Sequence, residues 1–441
     1  MIEVPEYSKT FKFMYRLFPK WVRWVHALVP EHRRRGSVSY PMGEVVLLGL
    51  CLFLFRYRSL RSFINEFRHN PVGINNFNEF FTLSEVPSDD EFRYILSKTP
   101  TSFFNQILKH CHQRLERQKV IQDWRLLGKY DLVSMDGTGQ LSSYKVKCEK
   151  CLTRINNSGN TMHLHGQLLA SLISPHQSIS LPLAFEPIEN NGEQTEYQKN
   201  DCELNAAKRL LKAMKTAYPK RPFCITGDNL FAVLPFVQQI QSNGWSFIIT
   251  AKPERNKELF SWYDYLDEKK KELRFSDKEG HQHHFEWTNQ LPLRQEVTGK
   301  NHFFVNLLEY TELSKDGQVI YYNTWVTDIH LHEGNIKYIA KGGRARFNIE
   351  NMSFNEQKTR GYHTEHNFGH FGNLPNVFFG LAQIAHLFSQ AFSLWKEGQR
   401  LIQEVGSTRR FWERMATLYS SVRVPTHELP IIYIKFVADS S

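Results

Sequence analysis

The chain is poor in cysteine, with 6 in 441 residues. That is too few and too scattered for the disulfide framework of a small secreted scaffold, so reduced thiols or a metal site are expected. It also lacks an unbroken apolar run of about 20 residues, the length a bilayer-spanning helix needs. The longest run, Val45 to Phe55, is followed by Arg56 and Arg58. A second apolar stretch, Val377 to Trp395, is interrupted by Gln383, His386 and Gln390. Both read as buried helices, and no membrane partner is expected. The opening Met1-Ile-Glu-Val-Pro-Glu-Tyr has no basic segment ahead of an apolar one, so no secretory signal is read there. No internal repeat and no low-complexity tract appear. Acidic residues are outnumbered, 45 against 55 Lys+Arg, for a net charge of +10. That balance favours a polyanionic partner and says little about fold. Hydrophobic residues make up 41% and aromatics 14%, which excludes a disordered chain and supplies a sizeable core.

Residues 1–128 have helical spacing and read as an all-α N-terminal domain for DNA binding or dimerisation. Within them Pro87-Ser88-Asp89-Asp90-Glu91 is a helix start, with Ser88 or Asp89 as N-cap and acids in the first turn. Arg33-Arg34-Arg35, near Trp21 and Trp24, is a candidate phosphate-contacting patch.

From Lys129 the pattern turns to strands. Leu132 to Met135, Met162 to Ser174 and Ile179 to Phe185 predict an antiparallel meander. Asp201 to Tyr218 predicts a helix capped by Asn200 or Asp201. Phe223 to Thr226 is a strand, Ala232 to Ser242 a helix stopped by Asn243-Gly244, and Trp245 to Ala251 a strand. The expected division is a first core part over 129–252, a β-rich insertion over 253–334, a second core part over 335–400 and a helical tail over 401–441. Gly342-Gly343 is expected to interrupt the helical stretch over 335–360, so that a helix carrying Glu350 begins at or after Arg344.

Three acids stand out in that order. Asp136 follows Leu132-Val-Ser-Met, Asp228 follows Cys224-Ile-Thr-Gly, and Glu350 lies beyond Arg344 and Arg346. The first two read as carboxylates at strand ends. Each has a plainer explanation alone: Asp136-Gly137 as a turn, Asp228 as a helix cap, Glu350 as a helical surface glutamate with Glu356 nearby. Together, three carboxylates on separate elements are what a pair of Mg²⁺ ions needs, with few protein ligands and open positions for water and phosphate.

This strand order with these acids resembles the RNase H-like core of DDE transposases of bacterial insertion sequences. The resemblance covers roughly residues 80–395. It rests on Ser134-Met-Asp136-Gly-Thr, Thr226-Gly-Asp228-Asn and Arg346-Phe-Asn-Ile-Glu350. A transposase subgroup with a β-rich insertion carries a helix motif of Tyr, two residues, Arg, three residues, Glu, six residues, Lys. Here Arg346 and Glu350 keep that spacing, Gly343 stands at the tyrosine position and Gln357 at the lysine position, with Lys358 next. The resemblance implies an α/β fold: an RNase H-like mixed sheet flanked by helices, with a β-rich insertion and an all-α N-terminal domain. It implies a cytoplasmic, nucleoid-associated enzyme that binds its element's double-stranded terminal inverted repeats as a homodimer in a synaptic complex. Cleavage and strand transfer would use two Mg²⁺ or Mn²⁺ ions held by Asp136, Asp228 and Glu350. A catalytically degenerate DNA-binding relative is the alternative. Arg346, Arg344, Lys358 and His366 are the DNA-contacting candidates around the catalytic helix, with Trp325 or Tyr322 as an aromatic that stacks on a flipped base.

Cys148-Glu-Lys-Cys151 is a pair with metal-ligand spacing that lacks two partners. His163, His165 and Cys202 are the candidates, and a structural Zn²⁺ on Cys148, Cys151, His165 and Cys202 is weighed against a pair of free thiols. The histidine-dense Gly361-Tyr-His363-Thr-Glu-His366-Asn-Phe-Gly-His370 reads as a loop beside the catalytic helix or DNA, with a second metal site as the alternative.

Overall fold

The computed structural model describes residues 25–423, except residues 26–27, 30, 32, 35, 37, 82, 84, 191–199 and 294–302. Trp21, Trp24 and Arg35 lie outside the described residues.

Five helices come first: α1 (Met42–Leu54), α2 (Leu60–Arg68), α3 (Pro71–Phe81), α4 (Asp89–Leu96) and α5 (Thr101–Arg117). Helix α1 is buried on almost every side, as its uninterrupted apolar sequence requires. Helix α4 starts in a capping box: the Ser88 hydroxyl accepts from the Glu91 N–H, and the Glu91 carboxylate accepts from the Ser88 N–H.

The sheet begins with β1 (Asp131–Ser143), β2 (Leu152–Ile155), β3 (Thr161–Ile173) and β4 (Ser180–Ile188). Then come α6 (Glu203–Ala217), β5 (Phe223–Gly227), α7 (Leu234–Ser242), β6 (Ser246–Thr250) and α8 (Lys257–Tyr265). Strands β1, β3 and β4 are the expected antiparallel meander, while β5 and β6 add in parallel beyond β1. The spatial order β4-β3-β1-β5-β6 is that of an RNase H-like core. Three details differ from the sequence expectation. Strand β1 has 13 residues, so Asp136 sits inside it. Strand β2 was not expected. Helix α6 has Cys202 at its N-cap position with no side-chain cap, in place of Asn200 or Asp201.

The insertion supplies β7 (Lys271–Ser276), β8 (Gln282–Pro292), β9 (Phe304–Leu313) and β10 (Val319–Thr327). Its strands extend the same sheet. Strand β10 pairs antiparallel with β6, and β9, β8 and β7 follow outward to complete ten strands. The chain then returns through α9 (Ile336–Arg344), α10 (Phe347–Ile349), a π turn over Glu350–Phe354 and α11 (Asn355–Thr359). It ends in α12 (Leu374–Leu394), α13 (Lys396–Val405) and α14 (Thr408–Ser421).

Helix α9 runs through Gly342 and Gly343 and ends at Arg344, so the break falls just beyond the expected glycines, and the helical segment that carries Glu350 begins at Phe347, after Arg344 as expected. Both glycines allow α9 to lie flat on the sheet: a Cβ at Gly343 would come within 2.4 Å of the Trp325 ring, and one at Gly342 within about 3 Å of Ile248. Helix α12 is the only described helix long and apolar enough to cross a membrane, and it is mostly buried here. The helices expected as an N-terminal domain share one continuous hydrophobic cluster with α12, α14 and one face of the sheet. Asn70 and Asn76 fasten the α3 region to the end of α14 by donating to the Ser420, Tyr419 and Val422 carbonyls.

Candidate active site

Strands β1 and β5 run parallel with Ser134 level with Thr226. Asp136 lies two residues beyond Ser134 inside β1, and Asp228 two residues beyond Thr226, just past the end of β5. The β1–β5 pairing ends at Ser134 and Thr226, before either carboxylate. Asp228 lies directly after β5, where its Oδ1 accepts from the Leu230 N–H at 2.8 Å and fixes the turn. Asp136 Oδ1 accepts from the Gly137 N–H at 2.9 Å.

The third acid arrives from above. Helix α10 packs on β1, with its entry held by the Ser134 hydroxyl donating to the Arg346 carbonyl at 3.2 Å. Arg346 reaches Asp136 Oδ2 at 3.2 Å, and both side chains are largely buried. Glu350, four residues later, opens the π turn. A π turn is a costly departure from α-helical bonding that recurs at functional sites.

The charges act on one another. Burial pushes the Asp136 carboxyl up to about 6 from 3.8, against the Arg346 guanidinium, while Asp228 and Glu350 raise it further. Burial is the first cause of the shift, so a proton or a bound cation at Asp136 offsets the cost of a buried carboxylate. Among the described residues, Asp136, Asp228 and Glu350 do not bring their oxygens within the 4.8 Å of a one-ion cage.

A fourth carboxylate, missed by the sequence reading, belongs to this cluster. Glu203 begins α6, and its carboxyl lies over Gly137, where a Cβ would come within 2.4 Å of it. Its pKa is raised by burial first and then by Asp136 and Asp228. In sequence it looks like a helix-starting acid; only the strand register places it under the site. Glu356, by contrast, faces α12 and bonds to Gln390 and Arg360.

The other candidates divide. Arg344 pairs with Glu312 at 2.6 Å and stacks over Tyr321. Lys358 pairs with Glu365 at 3.3 Å. His366 is exposed and packs edge-on against Phe368. Arg33 is tied to Glu31 and the Tyr40 carbonyl, which holds the Glu31 carboxyl down at about 2 and leaves that arginine committed within the protein, while Arg34 is exposed. Trp325 does not fit the stacking role: it is fully buried against Gly343, whereas Tyr322 on the same strand is exposed. Cys202 is exposed and does not join Cys148, Cys151 and His165, which meet His370 instead.

No family model matches the chain, and no curated protein matches it. A solved structure similar to it is the piggyBac transposase synaptic complex with hairpin DNA. The two are 10% identical, the match covers 97% of this chain and 86% of that chain, and the TM-score is 0.40. At that TM-score the likeness carries no argument.

Proposed function

We propose that this chain is a DDE transposase that cuts the ends of its own mobile element and joins them to target DNA. The observation that carries the reading is Asp136 itself, half-buried on β1, paired with Arg346, and near enough to Asp228 and Glu350 from two other elements for both to raise its pKa. Asp136 and Asp228 would hold one or both of two Mg²⁺ or Mn²⁺ ions, with Glu350 completing the second site. Such ions, when bound, activate an attacking oxygen and stabilise a leaving one. Glu203 braces the floor of the site beneath Gly137. Arg346 holds Asp136 in place and presents a guanidinium beside the position a DNA phosphate would take. The net charge of +10 serves the same polyanionic partner, double-stranded element ends engaged by a homodimer.

The alternative of a degenerate DNA-binding relative drew on the tyrosine and lysine missing from the helix motif. Both positions are filled by packing. Gly343 makes room for Trp325, and Gln357 exchanges two hydrogen bonds with Gln383 at 3.0 and 2.8 Å. Neither departure disturbs the carboxylates.

The test is a pair of variants assayed for Mg²⁺-dependent nicking. Glu350→Gln is expected to lose at least 100-fold, the scale of removing a group that acts in the transition state. Glu356→Gln is expected to stay within a few-fold of the wild type. The reverse pattern would move the third acid to Glu356 and overturn this site.

A further inference from the structure

Outside the acidic cluster, four metal-ligating side chains converge from distant parts of the chain. Cys148 and Cys151 come from the connection between β1 and β2, His165 from β3, and His370 from the segment between α11 and α12. Their ligand atoms all lie within 4.8 Å of one another. Cys148 Sγ is 3.7 Å from Cys151 Sγ and 3.3 Å from His165 Nε2. Cys151 Sγ is 3.5 Å from His165 Nε2 and 3.4 Å from His370 Nε2. A tetrahedral Zn²⁺, with bonds of about 2.3 Å to sulfur and about 2.0–2.1 Å to nitrogen, has edges of roughly 3.3–3.8 Å. The observed separations fall in that range. The sulfurs are far beyond the roughly 2.05 Å of a disulfide.

We infer that Cys148, Cys151, His165 and His370 bind one structural Zn²⁺. Two thiolates and two imidazoles in a tetrahedral set select zinc among the common divalent ions. The surroundings are built for it. Cys148 N–H donates to Cys151 Sγ at 3.4 Å, and Cys151 N–H donates to the Cys148 carbonyl, so the short loop is already folded around the sulfurs. The two imidazole rings meet edge to face, with centroids 4.9 Å apart, and both Nε2 atoms approach Cys151 Sγ. Four protein ligands leave no open position, so the ion's work is mechanical. It bolts the connection after β1, the strand that carries Asp136, to the segment that follows the Glu350 helix. Lys150 adds a second tie across the same gap, donating to Asn373 Oδ1 at 2.9 Å. The inference is independent of the catalytic reading, because none of these ligands belongs to the acidic cluster.

The test is metal analysis of the full-length chain, purified without chelator, followed by exchange with Co²⁺. The wild type is expected to carry one zinc per chain and to show the visible bands of tetrahedral cobalt with two thiolates. Cys151→Ser and His370→Ala are expected to lose the metal. Cys202→Ser is expected to keep it. His370→Cys guards against misfolding: it should retain one metal and move the cobalt spectrum to that of three thiolates. A folded wild type without zinc would overturn the assignment, as would full retention by His370→Ala with an unchanged cobalt spectrum, or loss in Cys202→Ser.

Discussion

Asp136 is the residue on which the site's electrostatics turn. Its carboxyl is raised to about 6 because burial and two neighbouring acids outweigh Arg346. A carboxyl raised on folding favours the folded state while protonated, and that contribution fades as pH climbs from about 4 to about 6. At pH 7 the metal-free protein therefore bears a penalty on the order of 2–3 kcal/mol at this residue. Asp136→Asn removes the charge and keeps one oxygen, which can accept from Arg346 or from the Gly137 N–H but not from both. It is expected to raise the melting temperature of metal-free protein at pH 7, to lose the stabilisation that Mg²⁺ gives the wild type, and to abolish activity. Thermal unfolding with and without Mg²⁺ checks this, and a variant less stable than the wild type would contradict the charge assignment. Mg²⁺-dependent activity of the wild type is likewise expected to fall as pH drops through about 6, where protons compete for Asp136. At this scale the sequence singled out Asp136 and Asp228, each after a recognisable strand, and Glu350 beyond Arg346. It was silent on Glu203, and named His370 only within a histidine-dense segment with a second metal site as the alternative. Their partners lie 66 residues away at Gly137 and more than 200 residues away at Cys151, and nothing local marks either pairing.

At the scale of the element, the Glu350 helix explains its own departures from the transposase motif. Residue 343 faces the buried Trp325 ring, and residue 357 faces Gln383 inside the molecule. Restoring the motif is therefore expected to harm the fold. Gly343→Tyr forces a side chain into occupied space and should cost at least about 1–3 kcal/mol. Gln357→Lys buries an ammonium against an amide and should cost a similar amount or more. Urea unfolding of each variant measures this, and a stabilised Gly343→Tyr would show that α9 does not rest on Trp325. The same helix shows where periodicity misled. Two adjacent glycines read as a break, yet they permit a close helix–sheet approach. Strand β2 and helix α8 escaped notice because each is short and carries polar residues on its exposed side.

The described residues form one ten-stranded sheet, with helices that precede and follow it in the chain sharing one hydrophobic cluster. The core order was legible because apolar strands and amphipathic helices alternate cleanly between 131 and 250. The continuation of the insertion into the same sheet was not, since it depends on β10 returning to pair with β6 across more than 60 residues. That continuation seats Trp325 beneath α9, and with it the helical return that carries Arg346 and Glu350 over Asp136. On the proposed reading, the architecture serves to bring three acids from three elements to one region of the sheet. Its most direct test compares the wild type with Asp228→Asn on DNA carrying the element's own ends, with Mg²⁺ or Mn²⁺, scoring binding and cleavage separately. The account predicts metal-dependent cleavage by the wild type and none by the variant, with binding unchanged. Cleavage that survives in Asp228→Asn, or binding by the wild type without any metal-dependent cleavage, would contradict it.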